Sequence, residues 1–416
     1  MLPTYFLRVF FVVGATLILF ANTFPQGGFS NSIAYVRGGT EIRMISADGK
    51  DDRQVWTHPD LNKSIGIYEI AWRPDGSELV VSAGHEAVAS LYHSDLYTLK
   101  PDGTGLRRLT NGPDRNDYPK FRMGTVTVSV RNDRSDAVSG TYFVYVAGAD
   151  LPQQVNIPAG TAKMLVFKDV ADFGSQPQTI VAAQGPVRWF VPGLDVQAGQ
   201  NVTAPAFAIS GGGIEMLGAF RPVWRSDGSR ISYRTGHCVV STVSSKPAPG
   251  HQFEPLFKSA KPVNACSWDW GPTAATANQI LYASGSGNDS AIYRVTEGGA
   301  MPGEKIRVYN KLPNQLAQDL RWLPDGRGFL YSHGTITDTA ANIYRYDFET
   351  RKSEPITNLD SGFARGMSIS PDGKWVVFER AAGYKDYDNV DLWIVGTDGK
   401  GMRLLVKDAQ NPAWGR

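Results

Sequence analysis

The chain has 416 residues, of which 42% are hydrophobic and 20% charged, with 44 glycines, 25 prolines and two cysteines. That is enough apolar material for a large core without metals or a disulfide framework. A formal net charge of +2, with no run of basic residues interleaved with aromatics, excludes nucleic acid as the expected partner.

In chain order, Arg8 is followed by the uncharged stretch 9–21 and then by Pro25-Gln26-Gly27-Gly28. Residues 1–26 read as a signal peptide or an N-terminal membrane anchor. A span needs about twenty apolar residues, and membrane contact would run through residues 5–24. The one basic residue near the segment precedes it, which places the rest of the chain outside the cytoplasmic membrane, in the periplasm or another extracytoplasmic space. No cysteine follows the apolar run to accept a lipid.

Residues 33–36, 42–45 and 54–56, with the turn Asp48-Gly49, read as the second, third and fourth strands of a four-stranded unit that lacks its first. A phrase then opens unit after unit: Trp72-Arg73-Pro74-Asp75-Gly76, Trp224-Arg225-Ser226-Asp227-Gly228, Trp322-Leu323-Pro324-Asp325-Gly326 and Ile369-Ser370-Pro371-Asp372-Gly373, with a weaker copy at Trp270-Gly271-Pro272. Asp-Gly supplies the positive φ of a hairpin turn and Pro presets the residue entering it. Strands rich in β-branched and aromatic residues follow at 79–82, 231–233, 280–282, 329–331 and 376–378. Third strands are expected at 96–99, 292–295, 343–346 and 392–395. Fixed-period repetition of a four-strand unit means propeller blades. The missing first strand is Asn411-Pro412-Ala413-Trp414-Gly415, whose pairing with the entry segment would close a ring of six blades opening near Trp414, Trp72, Trp224, Trp270, Trp322 and Ile369. The five tryptophans are expected to pack between blades, and Trp268, Trp375 and Trp393 to sit in blade cores.

The repeat is interrupted between residues 123 and 212. Short strands at 125–130, 142–146, 164–167, 179–182, 187–191 and 207–209 predict an inserted β-sandwich, with Gly211-Gly212-Gly213 as its exit. The expected organisation is propeller over 27–122 and 213–416 around that insertion, which stands on the face where fourth strands lead to first strands. The insertion holds eleven charged side chains, which reads either as a compact sandwich or as a docking surface against another protein.

The W-x-P-D-G openings, Asp95-Leu96-Tyr97, and Pro101-Asp102-Gly103-Thr104 followed by Arg108-Leu109-Thr110 resemble the TolB-like, PD40-type propeller repeat. The resemblance covers residues 31–122 and 213–416. The insertion resembles an immunoglobulin-like or carboxypeptidase-regulatory-like β-sandwich. The first resemblance implies an all-β, six-bladed propeller of the kind that serves binding proteins, peptidase accessory domains and some lyases. TolB itself carries an α/β domain before its propeller, whereas about thirty residues precede the first blade here, so a Tol-Pal role is the lesser expectation.

Motifs of catalysis are lacking: no nucleophile elbow, zincin helix, Walker loop or dinucleotide fingerprint occurs. Cys238 and Cys266 read as a disulfide or as two separate thiols. Of the six histidines, His58, His85, His93, His237, His251 and His333, the pair His85 and His93 with Glu86 is a metal candidate against the alternative of exposed loop histidines. Asp386, Asp388 and Asp391 have the spacing of calcium ligands or of a solvated turn. Asn62, Asn201 and Asn288 open glycosylation sequons. The expectation is a non-enzymatic scaffold without cofactors, with protein partners and no nucleic acid: an accessory subunit on the outer face of a membrane-embedded or envelope complex, energy-transducing complexes among them. The alternatives are a polysaccharide lyase or hydrolase acting at the propeller pore, and a Tol-Pal-like periplasmic protein.

Overall fold

The computed structural model describes residues 32–415 apart from 60–65, 137–139, 237, 248–253, 260–262, 285–290, 307–315, 335–337, 384–385 and 387–388. The reading of residues 1–26 lies outside the described residues. So do Asn62, Asn288, His237, His251 and Asp388.

The Pro-Asp-Gly phrase does two local jobs. Gly76, Gly228, Gly326 and Gly373 hold φ between +69° and +72°, where a side chain is strained. The aspartate before each glycine accepts the backbone N–H two residues on: Ser77 to Asp75 at 3.0 Å, Ser229 to Asp227 at 3.0 Å, Arg327 to Asp325 at 2.9 Å and Lys374 to Asp372 at 3.1 Å. Each turn therefore joins a first strand to a second in the same way.

Among the described residues the propeller consists of six four-stranded antiparallel sheets. Their innermost strands are Ala409–Trp414, Ile67–Trp72, Phe220–Trp224, Ala265–Trp270, Leu316–Trp322 and Gly362–Ile369. Each contacts the next around a ring. The first sheet is made by both ends of the chain, with Ile33 opposite Trp414 and Ala34 opposite Ala413. The fifth and sixth sheets are also joined by a short parallel bridge of Ala340 and Ala341 with Gly362 and Phe363.

The opening tryptophans link the sheets as well as packing between them. Trp72 Nε1 donates to Ala413 O at 3.1 Å, Trp224 Nε1 to Ala71 O at 3.3 Å, Trp322 Nε1 to Asp269 O at 3.3 Å, and Trp270 Nε1 to Ser232 Oγ at 3.0 Å. Every one of these bonds reaches back to the preceding sheet. Trp375 departs from its expected place in a blade core and is 38% exposed, because it begins a second strand just after its turn.

Between Arg107–Arg108 and Phe220–Trp224 the chain forms two further sheets. One contains Gln153–Asn156, Thr141–Val146, Gln178–Gln184 and Val187–Leu194; the other contains Ala162–Ala171, Met123–Asn132, Asn201–Thr203 and Phe207–Ile209. Val126, Val128, Val144, Ile180, Trp189 and Phe207 share one core between them. Pairing runs past the glycine exit, since Ile214 and Glu215 pair with Arg188 and Val187.

The inserted unit is held on the propeller by specific contacts. Ala89, from the loop between the second and third strands of the second blade, packs into its core. Arg188 Nη2 donates to Ala87 O at 3.0 Å, and the Tyr118 and Tyr145 hydroxyls lie 3.2 Å apart.

Candidate functional site

Two places collect side chains that a function might use: the propeller axis, and a cleft between the propeller and the inserted unit.

At the axis, every innermost strand shifts register within its length. The residue three before each opening Trp or Ile is polar or glycine: Glu69, Arg221, Ser267, Asp319, Gly366 and Asn411. Four of them, Arg221, Asp319, Gly366 and Asn411, have φ between +53° and +56°, the left-handed region in which β-bulges place a residue out of ladder register. The bulges release backbone N–H groups toward the preceding blade. Arg221 N donates to Glu69 Oε2 at 3.1 Å, Leu320 N to Ser267 Oγ at 2.9 Å, Gly366 N to Asp319 Oδ2 at 3.0 Å, and Asn411 N to Glu379 Oε1 at 2.6 Å. Arg221 Nη2 crosses the axis to Asp319 Oδ1 at 2.6 Å and to Ser267 Oγ at 2.9 Å. Arg365 pairs with Glu379 at 3.3 Å.

These charges sit in a low-dielectric ring. Burial pushes the Asp319 carboxyl up, but Arg221, the Gly366 N–H and Arg321 outweigh it and hold Asp319 below its ordinary value. Burial dominates at Glu69 and Glu379, which are raised despite Arg234 and Arg221 beside the first and the Asn411 N–H and Arg365 beside the second. The axial groups are thus bonded to one another across the seams. At the opposite mouth the tryptophans and prolines of the repeat line a cavity of 140 Å³.

The cleft is larger, 420 Å³. Leu91, Tyr92 and Tyr233 of the propeller form one wall; Val181, Phe190 and Pro192 of the insertion form the other. The sheet carrying Gln178–Gln184 and Val187–Leu194 is apolar on both faces for this reason: Ile180, Ala182 and Trp189 face the sandwich core, while Val181 and Phe190 face the propeller. None of the residues lining the cleft is charged. The low charge of the insertion therefore has a cause in the fold: a sheet covered on both sides has little need of solvated charge.

The histidines take places that the sequence did not suggest. His58, His85 and His93 are neither exposed nor gathered on a metal. All three are buried: His85 and His93 belong to the loop 84–94, and the His58 ring packs against Trp56 and His85. His85 packs at a tilt against Tyr97 with ring centroids 4.4 Å apart and meets His58 edge-on at 5.4 Å. Burial, only partly opposed by Glu86, pushes the His85 imidazole down to about 4. His93 Nε2 lies 2.9 Å from the Tyr68 hydroxyl, and burial with Arg188 nearby pushes it down to about 4 as well. Among the described residues no group of three His, Cys, Asp or Glu is arranged to hold a metal. Asp386 and Asp391 serve different partners: the Asp386 carbonyl accepts from Arg365, and the Asp391 carboxylate accepts from Asp408 N. Cys238 and Cys266 are bonded to each other, Cα atoms 4.5 Å apart, across the seam between the third and fourth blades.

Sequence reasoning missed both the axial residues and the cleft. The axis had a signal, the polar or glycine residue at a fixed offset before each opening residue. The cleft had only the charge deficit.

No family model matches the chain. Over 96 residues it is 30% identical to the Tol-Pal system protein TolB of Anaeromyxobacter dehalogenans (strain 2CP-C), covering 22% of this chain and 20% of that protein. The crystal structure of TolB from Acinetobacter baumannii superposes with a TM-score of 0.47 at 15% identity, covering 94% of this chain and 67% of that one. The β-propeller domain of the Trilobed protease from Pyrococcus furiosus does so with a TM-score of 0.39 at 9% identity, covering 88% and 90%. By its own strand pairing the chain is an all-β propeller protein, and its stretch similar to TolB spans about a fifth of the length of the curated relatives it matches.

Proposed function

We propose that this chain is an extracytoplasmic binding module that engages a protein partner of an envelope complex, and that it performs no chemistry of its own. The observation that carries the reading is the contrast between its two sites. The axial charges are consumed by bonds between blades, whereas the uncharged cleft of 420 Å³ is open and built jointly by propeller and insertion. The TolB-like stretch supports the same reading, since its relatives are named as members of the Tol-Pal system. Attachment to a membrane-embedded complex, through a partner or through residues 5–24, belongs to this proposal. Among the described residues no helix is long and apolar enough to cross a membrane.

One observation favours a second reading, a lyase or hydrolase acting on an acidic polysaccharide. Arg221, Asp319, Glu69 and Glu379 converge on the axis, with the Tyr68–His93 pair beside them.

The test is purification of the native protein in mild detergent and identification of what accompanies it, repeated with Phe190→Asp in the cleft and Met402→Asp on the opposite face. Phe190→Asp is expected to release the partner while Met402→Asp retains it, with circular dichroism unchanged in both. Retention by Phe190→Asp, or polysaccharide cleavage that Asp319→Asn abolishes, would overturn the reading.

A further inference from the structure

We propose that the cavity at the mouth away from the insertion is a binding site for a small carboxylate on an aliphatic stem, held by the Arg321 guanidinium and the Ser368 hydroxyl. The site lies at the other end of the axis and is independent of the partner-binding role of the cleft.

The residue immediately before each opening Trp or Ile is Ala71, Val223, Asp269, Arg321, Ser368 or Ala413. All six line the cavity, one from each blade. The first strands thus set them on a ring around the axis, with Arg321 between Asp269 of the fourth blade and Ser368 of the sixth. Two of the six bond the next blade: Asp269 Oδ2 accepts Trp322 N at 2.7 Å, and Ser368 Oγ accepts Trp414 N at 2.9 Å. Asp269 Oδ1 accepts Trp270 N at 3.0 Å, so both oxygens of the one acidic residue in the lining are engaged by backbone donors.

Arg321 is the one basic residue in the lining and stands outside this bonding. Among the described residues its only hydrogen bond runs from Nη1 to Leu320 O at 2.8 Å, and it forms no ion pair. Nε and Nη2 are therefore unspent, on a planar fork that matches a carboxylate. Burial, opposed by Asp269 and joined by Arg221, holds the guanidinium below its ordinary pKa, the sign of a charge short of counter-charge. The Ser368 hydroxyl accepts the Trp414 N–H but donates to no group among the described residues, which leaves a second donor on the neighbouring blade.

The cavity sets the rest of the guest. Its 140 Å³ holds a group of several atoms and excludes a drug-sized ligand. The remaining walls are indole, proline and aliphatic side chains, among them Trp72, Pro222, Trp270, Trp322 and Ile369, which suit an apolar stem better than a sugar's hydroxyls. A single guanidinium balances one negative charge, so a monocarboxylate fits and a phosphate dianion leaves charge over. The turn aspartates at the rim are paired as well: Asp75 with Arg73 at 3.3 Å, Asp325 with Arg327 at 3.3 Å, Asp372 with Lys374 at 3.8 Å, and Asp227 with Arg225.

The test titrates butyrate and its neutral isostere butyramide into the full chain, followed by calorimetry and ligand-observed NMR. Butyrate is expected to bind about tenfold more tightly than butyramide. Arg321→Met is expected to abolish that preference and, without carboxylate present, to raise the melting temperature, because it removes a charge that has no counter-ion. Ser368→Ala is expected to weaken butyrate about fivefold. Equal affinity for butyrate and butyramide, binding of neither, a preference that survives Arg321→Met, or a lower melting temperature for that variant would overturn the proposal. N-acetylglutamic acid α-amide separates the sources of the carboxylate. Binding like that of butyrate assigns the site to a protein side chain, and binding of butyrate alone assigns it to a free acid. Tighter binding of galacturonate than of butyrate would overturn the aliphatic stem and favour an acidic polysaccharide.

Discussion

The propeller axis and the face of the inserted unit that overlooks the propeller solve opposite problems with opposite materials. The axis brings six strands so close that their bulged ends must be bonded, and it uses buried charge to do so: Glu69, Asp319 and Glu379 each accept an N–H from the next blade. The junction has room left over and lines it with neutral groups. The polar residues at the centre of this protein are therefore bonded to one another within the fold, and the place proposed for partner binding is the one lined by neutral groups.

The sharpest way to break that comparison is to remove one axial carboxylate. Asp319→Ala leaves the Arg221 guanidinium without its carboxylate and the Gly366 N–H without its acceptor. The expected loss is about 3–5 kcal/mol in urea unfolding. Arg188→Met makes a change at the junction, where a side chain that is 1% exposed donates to the carbonyls of Gly185, Val187 and Ala87. The expected cost there is about 1–2 kcal/mol. A reversed order would show that the axial bonds are not the stronger ones.

How far the sequence led depends on which residues act locally. The aspartate and glycine of each turn act within five residues, so the phrase announced the blades and their order. Ser32–Arg37 and Ala409–Trp414 find each other because each leaves an open sheet edge. The bonds across the axis were hidden, since Glu379 comes from a second strand while Glu69 and Asp319 come from first strands, and only the ring brings them together. His85 and His93 read as exposed loop residues; they do lie in a loop, but one folded inward, where Tyr97 covers the first and Tyr68 the second. Charge deficit in the insertion pointed to a covered surface, and the sheet of Gln178–Gln184 and Val187–Leu194 has one face in the core and the other over the cleft.

The second prediction uses pH to separate the two faces of the propeller. His85 lies among Glu86, His58, Arg108 and Arg115, and burial pushes it down to about 4 from an ordinary 6.5. The unfolded chain takes up the proton near pH 6.5 and the folded one only near 4. Below 6.5 the unfolded state binds more protons, and stability falls with falling pH until about 4, where the difference is complete. The expected loss is about 3 kcal/mol for His85. His85→Phe, which keeps a ring against Tyr97, should flatten that part of the profile measured by urea unfolding at a series of pH values. A wild-type profile level between 6.5 and 4 would mean that the His85 ring is open to water in the folded protein.

The smallest expected effect distinguishes one seam of the ring from the others. The indole N–H of Trp72 is bonded to Ala413 O at 3.1 Å, whereas that of Trp414 is buried with no partner. The sixth blade opens with Ile369 instead of Trp, so it sends no indole back to the fifth blade and receives no indole bond from the first. Trp72→Phe and Trp414→Phe remove the same volume from equivalent places, so the cost of the smaller ring cancels between them. What remains is the carbonyl that Trp72 leaves bare. Trp72→Phe should therefore be the more destabilising by about 1 kcal/mol in urea unfolding, and equal losses would mean that the indole bonds add nothing to the packing of the rings. The sixth blade, flanked by two seams without an indole bond, is then the one expected to loosen first, and hydrogen exchange should be fastest in Trp375–Ala381 among the second strands of the blades.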